Sequence, residues 1–170
     1  EYTSASDSFT LVINKKTLTA SASASNKTYD GGVSATVTLT FSGLIGSETL
    51  SQSVSSTFSD ENVGTGITVT VNSITLSDGS NGGLANNYSI SSGQTTTANI
   101  TAKSVTVSGI TASNKIYDSS TSSTVNVSSA SFSGIVSGDD LSISATGVFN
   151  NANVGSGKTV TLTSSYSGDD

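Results

Sequence analysis

Apolar and polar residues alternate along much of this chain. Between residues 33 and 41 every second position is apolar, and the positions between them are Ser or Thr. This period of two predicts a half-buried strand whose apolar side chains lie on one face. Val and Thr dominate the alternating stretches, and both are favoured on a pleated surface. Similar patterns predict strands at residues 9–13, 16–24, 67–71, 103–107 and 158–162.

The alternation changes parity after Val71, where the apolar positions shift to Ile74 and Leu76. Such a shift inside one strand predicts a β-bulge. No stretch carries a sustained helical stripe, and residues 53–60 could hold one helical turn at most. Short strands separated by Gly-rich turns are typical of sandwiches and small barrels. We therefore expect an all-β chain of two tandem immunoglobulin-like β-sandwiches stacked head to tail, with a small β-barrel or a β-grasp-like fold as alternatives.

The chain contains an internal repeat. The heptapeptide ASNKTYD at residues 24–30 returns 88 positions later as ASNKIYD at residues 112–118. Beyond this point the two halves match at a distance of 91 positions, as Phe41 does with Phe132. The second half therefore gains three residues between Asp118 and Phe132, where a surface loop tolerates an insertion at little cost. The chain consists of two copies of a unit of about 85 residues, a usual size for a small domain.

The repeat extends the prediction of the core to both copies. Apolar residues on one face of each strand should be buried, and their counterparts should be buried in the second copy. In the first copy these residues are Val37, Leu39, Phe41, Phe58, Ile67, Val69 and Val71, and in the second Phe132, Phe149, Val160 and Leu162.

Residues 1–16 resemble the end of the first copy. Tyr2 aligns with Tyr88 and Ile13 with Ile100, whereas the second copy reaches residue 170 before any closing strand. An open sandwich exposes an unpaired edge and a bare core, which a strand from another unit can cover. We expect three segments: 1–16 as the closing strand of a preceding repeat, 17–103 as the first complete repeat domain, and 104–170 as a second repeat domain that lacks its last strand. The predicted inter-unit contacts are Tyr2, Phe9, Leu11 and Ile13.

Composition argues against catalysis and against charged partners. The chain has no His and no Cys, so the commonest bases, nucleophiles and metal ligands are absent and we do not expect an enzyme. Its net charge of −6 disfavours nucleic acid and anionic membrane surfaces, which require clustered Lys and Arg. No apolar run approaches the ~20 residues of a transmembrane helix. Carboxylate pairs leave a glycoside hydrolase as a disfavoured alternative.

Residues 152–159 fit a loose phosphate-loop pattern. A phosphate loop needs a helix after it, whose first amides hold the anion. Here the following residues alternate as a strand, and the first copy has Ile67 where Lys158 stands. We therefore expect a Gly-rich turn that re-enters the sheet, with Val63 and Val154 packed inward.

No cofactor is expected, with calcium as the alternative. Oxygen-rich loops can hold calcium, although no EF-hand spacing occurs in this chain. The candidate ligands are Asp78, Asn81, Asp139, Asp140, Asp169 and Asp170.

A Lys-x-Tyr-Asp motif occurs at equivalent positions of both copies. In the structural interpretation the Asp opens a turn, and the Tyr ring lies on the edge of the core with its hydroxyl on a backbone group. The alternative is a recurring ligand patch. Recurrence at equal positions favours the structural role. The signature residues are Lys27, Tyr29 and Asp30, with Lys115, Tyr117 and Asp118.

The ordered string of motifs resembles the YDG/MBG-type repeats of giant bacterial surface adhesins. The resemblance rests on Lys-x-Tyr-Asp-Gly at residues 27–31, Phe-Ser-Gly at 132–134, Gly-Asp-Asp at 138–140, the Asn-Val-Gly stretch at 62–70, and Asn-Tyr at 87–88. It covers nearly the whole chain. The second copy departs from the pattern at Ser119, where Gly is expected, and the first at residues 46–48, where the acidic turn is weaker. The resemblance implies tandem extracellular all-β domains of a stalk or fibre, and no catalytic residues.

We therefore expect a structural repeat unit of an extracellular filament or adhesin stalk. Its partners would be other copies or neighbouring repeats of itself, joined head to tail by strand complementation or by tandem continuation. The link at residues 101–104 is too short for a flexible tether. The alternative is a carbohydrate- or surface-binding module that uses exposed Tyr and Asp loops.

Overall fold

A computed structural model describes residues 8–168 of the chain. These residues form fifteen β-strands and a single 3-10 turn, Ala85–Asn87, with no α-helix among them. None of the described residues forms a helix able to span a bilayer. The strands are β1 (Lys16–Thr17), β2 (Thr19–Ala24), β3 (Lys27–Thr28), β4 (Val37–Ser42), β5 (Leu50–Phe58), β6 (Gly64–Asp78), β7 (Tyr88–Ser89), β8 (Thr95–Thr101), β9 (Thr106–Ser108), β10 (Thr111–Ala112), β11 (Ser122–Ser123), β12 (Val125–Asn126), β13 (Ser131–Ser133), β14 (Ser142–Phe149) and β15 (Val160–Ser167).

The first copy of the repeat contains two two-stranded sheets and one four-stranded sheet. Strands β2 and β4 pair antiparallel, from Thr19 opposite Ser42 to Ala24 opposite Val37. The four-stranded sheet has the order β3-β8-β6-β5, so β8 lies between β3 and β6. Strands β1 and β7 form a short parallel pair. The all-β expectation is confirmed.

A bulge interrupts the long pairing of β5 with β6. Ser55 lies opposite Ser73 and Ser56 lies opposite Val71, so Asn72 is the additional residue on β6. This confirms the bulge that the parity shift predicts. Residues 53–58 belong to β5, so the expectation of a possible helical turn at 53–60 is wrong.

The predicted core of the first copy is confirmed in its central strands. Leu39, Phe58, Val69 and Val71 are buried, while Val37, Phe41 and Ile67 are half-buried. The predicted strand at residues 33–41 begins later, at Val37, because Ser34 makes only an isolated bridge to Thr57. Leu18, Tyr88, Ala98 and Ile100 are also buried.

The second copy forms three smaller sheets. Strands β9 and β13 pair, β10 and β12 pair, and β11-β14-β15 form a three-stranded sheet. Ser122 lies opposite Val148, at the positions equivalent to the bridge between Ser34 and Thr57. The three additional residues therefore lie between Ser123 and Phe132, where Ala130 N donates to Val127 O in a turn.

Strand β15 is an edge strand among the described residues. It is the counterpart of β6, but its sheet has no strand in the place that β8 occupies beside β6. Val160, the counterpart of the buried Val69, is half-buried. Leu162, the counterpart of the buried Val71, is 40% exposed, so its predicted burial is wrong. Phe132 and Phe149 are half-buried.

The chain forms two compact units. The first holds the residues up to Lys27, with Val33–Asp60 and Thr65–Asn99. The second holds Ile100–Asp170 together with Thr28–Gly32 and Glu61–Gly64. These two short segments come from the first copy of the repeat, and their contacts with residues 101–141 lie inside the second unit.

Candidate functional site

The Lys of the signature motif organises its own loop. In the second copy Lys115 Nζ lies 2.7 Å from Asp118 Oδ1 and donates to Ser120 O and Ser120 Oγ, both at 2.9 Å. The ammonium group also lies 5.9 Å from the centre of the Phe149 ring. Lys27 stands 5.5 Å from the Phe58 ring in the first copy. Both distances are within cation–π range, so the Lys links the loop to the aromatic residue of β5 or β14.

The Asp of the motif closes a turn in both copies. Asp30 Oδ1 accepts a hydrogen bond from Gly32 N at 3.0 Å, and Asp118 Oδ1 accepts one from Ser120 N at 2.9 Å. The predicted turn role is confirmed. The hydrogen bond from Lys115, with that from Ser120 N, holds the pKa of Asp118 below its usual value. The stability this contributes is present above the unfolded pKa and is lost as the pH falls through the folded one.

The turn requires a left-handed residue directly after the Asp. Gly31 has φ 72° and Ser119 has φ 59°. The left-handed region costs a residue with a Cβ roughly 1–2 kcal/mol, and this cost is absent for Gly. Ser119 Oγ donates to Asp118 O at 2.6 Å. The departure from the expected Gly at residue 119 therefore leaves the turn type unchanged and adds backbone strain.

The Tyr of the motif has a different environment in the two copies. Tyr29 is half-buried, and its hydroxyl donates to Asp139 Oδ1 at 3.2 Å, inside the second unit. The sequence predicts a backbone partner for this hydroxyl, and the structure shows a carboxylate as one of its acceptors. Tyr117 is exposed. The motif is therefore a loop scaffold in both copies, and its Tyr makes a carboxylate contact in the first.

A second Tyr–carboxylate pair lies in the first unit. Tyr88 is buried; its hydroxyl donates to Glu48 Oε2 and accepts from Ile45 N at 3.2 Å. The bond to Glu48 raises the pKa of Tyr88, and burial raises it further. Glu48 is the counterpart of Asp139. Sequence reasoning missed Glu48 as a partner because it marked residues 46–48 only as a weaker acidic turn.

The predicted inter-unit residues form an exposed apolar segment. Phe9, Leu11 and Ile13 are 84%, 88% and 99% exposed and lie outside all strands. The prediction of a strand at residues 9–13 is therefore wrong for this chain by itself. A strand needs a neighbour for its backbone groups, and this segment has none among residues 8–168. Tyr2 lies outside the described residues.

The Gly-rich turn after β14 faces solvent. Lys158 Nζ contacts Asn151 Oδ1 at 2.5 Å and also Asn153 O, so the Lys closes its own loop. No helix follows, which confirms the prediction of a turn that re-enters the sheet at β15. Val63 and Val154 are exposed, and the expectation that they pack inward is wrong. A groove of about 720 Å³ lies beside this turn, lined in part by Tyr117, Phe149 and Val154.

The candidate calcium ligands do not converge in the described part of the chain. Asp78 Oδ1 accepts from Ala85 N at 2.8 Å, and Asn81 Nδ2 donates to Ser47 O at 3.0 Å. Asp139 accepts from Tyr29, and Asp140 lies beside it in the turn. Within residues 8–168 no three acidic side chains group as metal ligands. Asp169 and Asp170 lie outside the described residues.

Comparison with protein families gives one match. The profile of the YDG domain matches residues 14–98 and again residues 101–170. The exposed segment at residues 9–13 precedes both matched stretches. No curated protein and no solved structure matches the chain.

Proposed function

Because this chain belongs to the YDG domain family and carries two copies in tandem, we propose that it is a structural repeat unit of an extracellular filament or adhesin stalk. Neighbouring units join head to tail, with residues 1–16 of one unit supplying the closing strand of the second copy of the preceding unit. The resemblance to bacterial surface adhesins supports the extracellular location. Its partners are other copies of itself.

One observation carries the proposal: β15 is an edge strand over a poorly covered apolar face. Three of the buried apolar residues in the first copy, Tyr88, Ala98 and Ile100, belong to β7 and β8. Among the described residues, nothing after β15 takes their place. The greater exposure of Leu162 compared with Val71 is the expected effect of this missing cover.

The exposed segment has the side-chain spacing of β8. Aligned by Ile13 with Ile100, Phe9 and Leu11 correspond to Thr96 and Ala98. Ala98 and Ile100 are buried in β8, and Thr96 is half-buried. Fully burying Phe, Leu and Ile side chains stabilises by roughly 1.5–3 kcal/mol each. The segment therefore offers a neighbour's β15 both a hydrogen-bonding strand and apolar side chains of suitable spacing.

We further propose that each completed copy is an immunoglobulin-like sandwich and that successive copies stack head to tail. Support comes from the first copy, where β4 contributes the buried Leu39 and the four-stranded sheet contributes Phe58, Val69 and Ile100. Two sheets that each bury one face are the usual basis of a sandwich.

The test is self-association of the chain, measured by sedimentation velocity across a wide concentration range. Wild-type chains should form oligomers that grow with concentration. The double variant Leu11→Asp, Ile13→Asp should stay monomeric, because a carboxylate is costly to bury against an apolar face. Val12→Asn is the matched control, since Val12 aligns with Asn99 and should tolerate the change.

Two results would contradict the proposal. One is a wild-type chain that remains monomeric at every concentration. The other is a double variant that assembles as well as wild type while its circular dichroism is unchanged.

A carbohydrate-binding module is the second candidate, favoured by the groove that Tyr117 lines with Asn114, Asn151 and Asn153. An exposed aromatic ring among amide side chains suits the apolar faces and hydroxyls of a sugar. This candidate requires saturable glycan binding that is lost when Tyr29→Ala and Tyr117→Ala are combined with the fold retained.

A further inference from the structure

The second unit already contains the Tyr-bearing loop of the first copy. Tyr29 N donates to Thr101 O at 2.8 Å, and Tyr29 Oη donates to Asp139 Oδ1. A methyl group on Gly31 would lie 3.0 Å from Val136 Cγ1. Tyr29 and Val63 share a pocket of about 250 Å³ with Val136 and Asp139. Tyr29 and Gly31 therefore lie against the segment at residues 101–139 inside the second unit, with the exposed Val63 beside them.

The equivalent loops of the second copy have no such cover among residues 8–168. Ile116, Tyr117 and Val154 are 91%, 60% and 88% exposed. Their counterparts are Thr28, Tyr29 and Val63, and Val63 is less exposed than Val154. Ile116 places an apolar side chain where the first copy has a polar one. We call Ile116, Tyr117, Ser119 and Val154 the loop face.

The first unit carries the counterpart of the surface that holds Tyr29. Lys16, Ile45 and Glu48 correspond to Lys103, Val136 and Asp139. They line one concavity of about 370 Å³, and Ile45 is exposed. We call these three residues the receiving face.

We propose that the loop face of one chain docks on the receiving face of another copy of this chain, with the Tyr117 hydroxyl donating to the Glu48 carboxylate. This inference rests on the proposed function and assigns residues to its head-to-tail contact. Glu48 accepts from Tyr88 through Oε2, and a carboxylate has acceptor capacity for further bonds through its two oxygens. The contact repeats the one between Tyr29 and Asp139 inside the second unit.

The sequence spacing allows docking and strand donation to occur together. In the chain, β8 ends at Thr101 and Lys103 follows two residues later. The donated segment ends at the counterpart of Thr101, Asn14, and Lys16 follows it at the same spacing. A strand added beside β15 of one copy therefore brings the receiving face of its own chain to the loop face of that copy.

Engineered Cys residues test the contact, since the natural chain has no Cys. Ser119 and Ile45 are the counterparts of Gly31 and Val136, whose close approach suits a disulfide. Ser119→Cys and Ile45→Cys chains, mixed under mild oxidation, should give a covalent heterodimer about tenfold faster than a mismatched pair, because docked thiols react as if tethered. The mismatched pair replaces Ile45→Cys by Ser77→Cys, which is an exposed residue of β6. A single chain with Gly31→Cys and Val136→Cys is the positive control.

Each outcome decides a separate question. Preferential pairing of residues 119 and 45 supports the docking. If sedimentation shows oligomers but residues 119 and 45 do not pair preferentially, the docking is overturned and the filament is retained. The loop face would then be a site for a ligand such as a glycan. Preferential pairing without oligomers keeps the contact and overturns the filament. Neither oligomers nor preferential pairing overturns both.

Discussion

Phe58→Ala is expected to lower the free energy of unfolding of the first copy by about 3–5 kcal/mol. Phe58 is 3% exposed and lies at the end of β5, opposite Val69. The substitution removes a buried aromatic ring and leaves a cavity in a core that is small. It also removes the aromatic ring that the Lys27 ammonium group contacts. Hydrogen exchange of the β6 amides measures this loss for the first copy specifically.

Phe149→Ala is the matched control. Phe149 occupies the same position in the second copy and faces Lys115, but it is half-buried. Its substitution should cost about half as much, because less apolar surface returns to water. A loss below about 1 kcal/mol at Phe58 would place that ring outside the core. Equal losses at the two positions would show that the second copy is as well covered as the first.

Ile100→Ala is expected to cost about 2–5 kcal/mol. Ile100 is among the largest fully buried side chains, and it lies in β8, between β3 and β6. Its loss leaves a cavity that neighbouring side chains fill only in part. Urea denaturation followed by circular dichroism should show the transition of the first copy at a lower midpoint with its slope unchanged.

Ile13→Ala is expected to behave differently from Ile100→Ala, although the two residues occupy aligned positions. Because Ile13 is almost fully exposed, the substitution should leave the unfolding midpoint of dilute chains within error. It should weaken assembly at high concentration. A clear destabilisation of the dilute monomer by Ile13→Ala would mean that the segment packs on its own chain.

The local pattern of the sequence predicts the elements whose partners are close in the chain. The alternation around Val69 and the parity shift at Ile74 locate β6 and its bulge, because each reflects which face of one strand is buried. The turn made by Asp118 is equally local, since the Asp bonds the backbone two residues on. The interactions that produce such features lie within a few residues of each other in the sequence.

Contacts between segments that are distant in the chain cannot be predicted from the local pattern of the sequence. Tyr29 and Asp139 are 110 residues apart, and no local pattern pairs them. Leu162 has the alternation of a core residue, yet no strand among residues 8–168 pairs with the open edge of β15 to cover it. Residues 9–13 have the sequence of a strand and form none for the same reason. Alternation reports the capacity to be buried, and the presence of a partner decides whether burial occurs.

In the assembly that we propose, the edge of β15 that is unpaired among residues 8–168 sets a direction. The edge of β15 and the segment at residues 9–13 are different surfaces, so the proposed contact between copies would be heterologous and would either close into a ring or continue as a fibre. A fibre then has two unlike termini, one with an empty edge and one with an unused apolar segment. In the proposed fibre, covering β15 with another molecule would stop growth at the first terminus. A short capping peptide with the spacing of Phe9, Leu11 and Ile13 would therefore set fibre length by its molar ratio to the chain.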